Sequence, residues 1–233
     1  MTLEELKKGQ VLLLDKPLNW TSFDVVNKIR YAILKKHNIK RFKVGHAGTL
    51  DPLATGLLIL CVGKATKTIN QLQNQTKEYI GTFTIGATTP SYDMETEIDQ
   101  TYPTDHINES LIKEKVKDFI GEQDQFPPIF SAIKKNGKKL YEHARKGEKV
   151  KIDARRIEIF EFEITEINLP EIHFRVKVSK GTYIRSLAFD YGKALGSGAY
   201  LSSLKRTKIG NFSIENAVSH QNWIDEVIEQ NSL

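Results

Sequence analysis

The residue types best suited to chemistry gather in one short stretch, GHAGTLDPLATG at 45–56. Asp51 stands there between Leu50 and Pro52, with Leu53 and Ala54 following, an apolar setting for a carboxylate. Burial raises a carboxylate's pKa unless a cation or hydrogen-bond donors compensate. A residue so placed is either a turn cap or a tuned catalytic group, and local sequence alone favours the turn. His46, in the same stretch, reads locally as a hydrogen-bonded loop histidine. Other chemistries are poorly supplied. Cys61 lies inside LLILCV, where a buried thiol is inert. The six histidines show no HxxxH spacing and no acidic cluster of metal type, so no metal is expected. No P-loop, and no GxGxxG after a strand, marks a nucleotide site.

The elements around this stretch can be read from periodicity. Residues 10–17 (QVLLLDKP) form a strand that stops at proline. Thr21 and Ser22 are good N-caps, and Val25, Val26, Ile29, Ala32 and Ile33 repeat at helical spacing, which predicts an amphipathic helix over about 22–36. With three glycines and a proline, 45–56 reads as a loop, and LLILCV after it as a buried strand. Alternation predicts strands at 79–86 and 172–178. Leu111, Ile112, Val116, Phe119 and Ile120 mark a helix ending before Gly121, and Ile184, Leu187, Ala188, Tyr191 and Leu195 mark another. Strands and helices mix without a strict βαβ repeat, which argues for an α+β fold around a mostly antiparallel sheet. There is no internal repeat and no low-complexity tract.

Composition sets the outer limits. The 233 residues, 39% of them hydrophobic, suffice for one good core, and a single domain over 1–233 is expected. One cysteine closes no disulfide, and the polar start MTLEELKKGQ and the short longest apolar run provide neither signal peptide nor membrane span, so a cytoplasmic chain is expected. The balance of 34 basic against 29 acidic residues permits a polyanionic partner without demanding one. The excess is uneven. The stretch 134–156 has ten basic residues and three acidic ones, and the remainder of the chain is −2. This stretch follows Pro127-Pro128, contains the turn signal Asn136-Gly137, and sets Tyr141 and His143 among its lysines, so it reads as a solvated hairpin and helix or as an anion-binding projection.

Taken together, several blocks resemble the TruB-type pseudouridine synthases. The phrase KVGHAGTLDPLATGLLILCVG at 43–63 is similar to that family's signature. In the same order, LLLDKP with Thr21-Ser22 resembles its first motif, and Lys77-Glu78-Tyr79 resembles the strand that carries its stacking tyrosine. SAIKKNGKKLYEHAR resembles its RNA-contacting insert, here about 126–152, and SKGTYIR resembles its third motif. GSGAYLSSLKR is similar to the block before its last core strand. The six blocks reach from about residue 12 to residue 206.

The resemblance implies a pseudouridine synthase fold with an active-site cleft across the middle of a long sheet. It implies conversion of uridine to pseudouridine at position 55 in the T-loop of tRNA, with the T-loop and stem as the bound partner. The N1–C1′ bond breaks and C5 joins C1′ with no electrons or groups gained, so no cofactor is called for. By the match, Asp51 is the nucleophilic or charge-stabilising carboxylate, Arg185 its two-pronged partner, and Tyr79 the stacking tyrosine and acid–base group. Tyr183 and Leu204 would line the uracil pocket, while His46 and Asp93 would contact the RNA around the flipped base. Lys16 and Lys64 resemble motif lysines with phosphate-binding or structural roles. Two departures stand out. Position 205 is lysine where the family pattern suggests arginine, and about twenty residues follow 209–214, so no further C-terminal RNA-binding (PUA-type) domain is expected. A monomer is expected. Other readings are a synthase for another RNA, such as a guide-directed rRNA enzyme, an RNA-folding chaperone, and a generic basic binding module, which would leave Asp51, Arg185 and Tyr79 unexplained.

Overall fold

The apolar run after the Asp51 loop does not alternate because both its faces are covered. In the computed structural model, which describes residues 1–135, 137–148 and 150–229, it belongs to the strand Ala54–Val62. Leu58, Leu60 and Val62 pack on one side with Val25, Val26, Ile29 and Ile33 of the helix Ser22–Lys36. Leu57, Ile59 and Cys61 pack on the other with Ile209. A strand buried on both faces reads as a continuous hydrophobic run. The helix starts where expected. Thr21 accepts a hydrogen bond from the Asp24 amide at 3.0 Å, and the Asp24 carboxylate accepts from the Thr21 amide at 2.8 Å, a reciprocal capping box.

The chain forms two compact units, Met1–Tyr79 with the residues from Lys205 onward, and Ile80–Leu204. The strands Lys77–Ile85 and Ala199–Ile209 run through both. In the first unit, Gln10–Lys16 pairs antiparallel with Ala54–Val62, and the two-residue strand Val218–Ser219 lies parallel to its far edge. Trp223 and Ile224 bury into the same core as the helix Ser22–Lys36. The tail read as helix-like is thus a short helix, His220–Trp223, and a wider turn, Ile224–Glu229, and Gln230 lies outside the described residues.

In the second unit, Lys77–Ile85, Glu171–Val178, Arg155–Asn168 and Gly121–Gln125 lie in that order. Its core is aromatic. Phe83 stacks on Phe174 at 4.1 Å between centroids, Phe162 stands edge-on to both, and Phe119 and Tyr191 are in turn edge-on to Phe162. Tyr191 resolves its polar end by donating to the Ile112 carbonyl at 2.6 Å. The basic stretch contains a hairpin, Lys134–Lys135 with Lys138–Lys139, and a helix, Leu140–Arg145. Asn136 and Lys149 of that stretch lie outside the described residues.

Three expectations shift. The loop read at 45–56 shrinks to 47–53, because Val44–His46 and Ala54–Val62 are strands on either side. One of the glycines that suggested a loop, Gly56, serves close approach inside a strand instead. A Cβ at Gly56, whose φ is +98°, would sit 2.4 Å from the Arg206 carbonyl oxygen. The helix read through Ile120 ends at Val116 and tightens into a 3₁₀ turn at Lys117–Phe119. The block at 196–206, read as preceding the last core strand, lies mostly inside Ala199–Ile209.

Candidate active site

Asp51 itself is partly exposed, but the residues on both sides of it are fixed. Ser22, almost fully buried, donates its hydroxyl to the Leu50 carbonyl at 3.1 Å and accepts the Leu50 amide at 2.8 Å. On the other side the Pro52 carbonyl accepts from the Asn19 amide at 2.9 Å and from Lys16 Nζ at 3.4 Å. Lys16 is fully buried and also donates to the carbonyls of Trp20 and Pro17, at 2.6 and 2.9 Å. Burial pushes its ammonium down to about 8, an effect that the negative charge of Asp51 partly offsets. The sequence places Lys16 in step with Leu12 and Leu14 on the inward face of its strand, a period-two signal of burial. Lys16 is therefore a structural cation, not a phosphate contact, whereas Lys64 is exposed.

A second buried cation closes the loop from the other end. Arg206, 1% exposed, donates Nε to the Leu57 carbonyl at 2.8 Å and an Nη to the Gly48 carbonyl at 3.0 Å. The buried arginine of this block is thus at 206, next to the lysine at 205. Arg206 also acts on His46. Burial first, and the Arg206 charge second, hold that imidazole below its ordinary value, so it stays neutral at pH 7. Tyr79 is buried at the end of this unit.

The second unit carries the other named residues. Arg185 is 4% exposed, near the start of the helix Ile184–Ala194. Its Nη1 donates to the carbonyls of Phe130 and Ser91 at 2.9 and 3.2 Å, and its Nε lies 3.5 Å from the Asp93 carboxylate. Asp93 is also buried, and its Oδ1 accepts the Glu95 amide at 2.9 Å. The structure thus brings Asp93 and Arg185 together as a buried ion pair, while the two carbonyls hydrogen-bond the guanidinium. The Asp93 loop is tied down by Thr89 and Ser91, whose hydroxyls both donate to the Asp93 carbonyl, at 2.7 and 3.2 Å. Tyr183, half-buried, is fixed through its backbone. Its amide donates to the Gln125 side-chain oxygen at 2.8 Å, and its carbonyl accepts the Gln125 amide nitrogen at 3.0 Å. Gln125 does for Tyr183 what Ser22 does for Leu50, and neither of these bonds is visible in the sequence, where Ser22 reads only as a cap and motif residue, because one polar side chain near a strand or helix end has no periodic signal. Leu204 is half-buried at the end of this unit.

A family model described as TruB family pseudouridylate synthase (N terminal domain) matches residues 35–184. The chain belongs to this family. A tRNA pseudouridine synthase B of Flavobacterium johnsoniae is 66% identical over 94% of the chain and 96% of its own length. One of Phocaeicola vulgatus is 56% identical over 94% and 95%. Among solved structures, a Cbf5–Nop10–Gar1 complex superposes with a TM-score of 0.73 at 31% identity. It is matched over all of this chain, which spans 58% of that one. The pseudouridine synthase fold and the enzyme class follow from these matches. The family match covers His46, the Asp51 loop, Tyr79, Asp93 and Tyr183, and ends one residue before Arg185, with Leu204 farther on. Among the described residues no group of histidine, cysteine, aspartate and glutamate could hold a metal ion, and no helix is long and apolar enough to cross a membrane.

Proposed function

We propose that this protein converts uridine to pseudouridine at position 55 in the T-loop of tRNA, acting in the cytoplasm, with Asp51 as its catalytic carboxylate. The observation that carries the reading is 66% identity to a tRNA pseudouridine synthase B across nearly the full length of both chains. The target base leaves its stack to be reached, and an aromatic ring receives it. Asp51 meets the freed glycosidic system as nucleophile or charge stabiliser, held in place by the Ser22, Asn19 and Lys16 bonds to its neighbours. Arg185 keeps that carboxylate ionised. Its guanidinium is always charged, and Asp93 together with two carbonyls fixes its direction. Tyr79 stacks on the base and takes the C5 proton. Tyr183 and Leu204 line the uracil, and the neutral His46 contacts the RNA beside it. Bond breaking and re-formation are internal to the nucleotide, so no cofactor is needed.

The test is mass mapping of pseudouridine in unmodified tRNA after incubation with the pure protein and no added cofactor. Pseudouridine at position 55 alone is expected. Modification only at other positions, or only in rRNA, would overturn the substrate assignment, and none in any RNA would overturn the activity.

A further inference from the structure

The stretch 134–156 is not the chain's only concentration of positive charge. Residues 25–50 hold seven basic side chains and no acidic one, a +7 hidden in the nearly balanced remainder. Ion pairing takes up three of the nine described cations of the first stretch and none of five exposed ones of the second. In the first, Lys135 is 2.8 Å from Asp153, Arg156 is 2.9 Å from Glu122 and 3.7 Å from Asp124, and Arg145 is 3.9 Å from Glu95. In the second, among the described residues, Lys28, Lys35, Lys40, Arg41 and Lys43 have no carboxylate within 4 Å. All five are exposed.

Their placement makes a surface. Lys28, Tyr31 and Lys35 follow each other at three- and four-residue spacing along one face of the helix Ser22–Lys36. Lys40 and Arg41 continue from the helix end, which Arg30 fastens to the next strand by donating to the Val44 carbonyl at 3.0 Å. Tyr31 is 66% exposed, unusual for a ring with no packing partner to gain. The local field is positive enough to act on neighbours. His37 is held below its ordinary value by burial and then by Lys36 and the N-terminal ammonium, and His220 by burial and then by Lys28. A run of unpaired cations costs self-repulsion in the free protein, and a polyanion relieves it. Lysine and arginine spread along a helix face, with an aromatic hydroxyl among them, match phosphate-backbone contact rather than base readout.

We propose that Lys28, Tyr31, Lys35, Lys40 and Arg41 form a second RNA-binding surface that takes the phosphate backbone of the substrate RNA, separate from the 134–156 stretch. The proposal rests on the RNA-substrate reading above but not on turnover. It is tested by titrating unmodified tRNA with wild type and with Lys35→Gln/Lys40→Gln/Arg41→Gln between roughly 50 and 200 mM salt. A control, Lys7→Gln/Lys8→Gln/Lys113→Gln, loses the same net charge, at sites where Lys7 and Lys113 already face glutamates. The surface variant is expected to bind more weakly at low salt, with a log–log salt slope flatter by about two to three units, while its thermal unfolding and its kcat at saturating RNA stay unchanged. The control keeps the wild-type slope. An unchanged slope in the surface variant, an equal change in the control, or no salt-dependent binding by wild type overturns the proposal. A wild type that binds through this surface but forms no pseudouridine leaves it standing and sinks the assigned activity instead.

Discussion

At the scale of the residue, the fixed neighbours of Asp51 make its replacement a clean experiment. Asparagine has the same shape, and the bonds from Ser22, Asn19 and Lys16 go to the backbones of Leu50 and Pro52 rather than to the side chain. Asp51→Asn should therefore keep the fold and the affinity for tRNA while losing pseudouridine formation by on the order of 10⁴-fold or more. Turnover above a contamination control would remove Asp51 from the chemistry. Lys16 gives a second expectation. Its pKa is about 8 in the folded chain against its usual 10.5. Below about pH 8 both states hold the proton, and the cost of burying the ammonium is fully present. Between those values the unfolded chain binds more protons, so stability rises with pH. Relative to Lys16→Met, wild type should gain stability between about pH 8 and pH 10. A denaturant midpoint difference that stays constant across that window would refute the assignment. Of these residues, Asp51 is the one the sequence singles out, because a whole motif surrounds it. The bonds of Ser22, Gln125 and Arg206 are not legible there, because their partners lie 28, 58 and 149 or more positions away.

Elements were legible where periodicity was clean. The helix at 22–36 and the strand at 10–16 stand where the pattern put them, because cap and apolar spacing agree. The longest strand, Arg155–Asn168, was missed for a physical reason. Its register against Glu171–Val178 shifts between Ile159 and Glu161 and again between Ile164 and Glu166, so the inward positions change parity and the alternation breaks. The basic insert was legible as a hairpin, and the structure refines which of its side chains are available. His143 is buried, bonded to Glu148 and to the Lys135 carbonyl, so it holds the insert together rather than facing RNA. Lys139 and Arg145 lie over the Tyr141 ring at 5.4 and 5.5 Å. Changing Lys134, Lys135, Lys138 and Lys139 to Gln should weaken tRNA binding and flatten its salt dependence by up to roughly 0.9 units for each phosphate these lysines neutralise, with little change in the turnover of bound RNA. Identical affinity and slope in a salt titration would take this hairpin out of the interface.

For the molecule as a whole, the order of the motif blocks disclosed the family, but not how the chain divides. His46, Asp51 and Tyr79 belong to one compact unit, and Asp93, Tyr183, Arg185 and Leu204 to the other. If Asp51 and Arg185 serve the same step, their substitutions cannot add. Arg185→Lys keeps the charge but loses the planar fork that grips carboxylate and carbonyls, and should cost most of the activity. The double variant Asp51→Asn/Arg185→Lys should then be no slower than Asp51→Asn alone. Losses that multiply in a complete kinetic cycle would show two independent contributions.

The Ser22 clamp has a consequence for the clock on which this loop opens. The Leu50 amide lies outside any strand, yet it is bonded to a buried hydroxyl that is also engaged with the Leu50 carbonyl. Loop amides commonly trade hydrogen for deuterium through small, local openings. Here the amide is released only when the start of the helix Ser22–Lys36 parts from the loop, a larger event. Leu50 should exchange as slowly as the amides of Ala54–Val62 and far more slowly than that of the exposed Thr49. In Ser22→Ala that protection should disappear at Leu50 while the strand keeps its own, so that deuterium uptake resolved at single amides reports directly on how firmly the backbone beside Asp51 is moored.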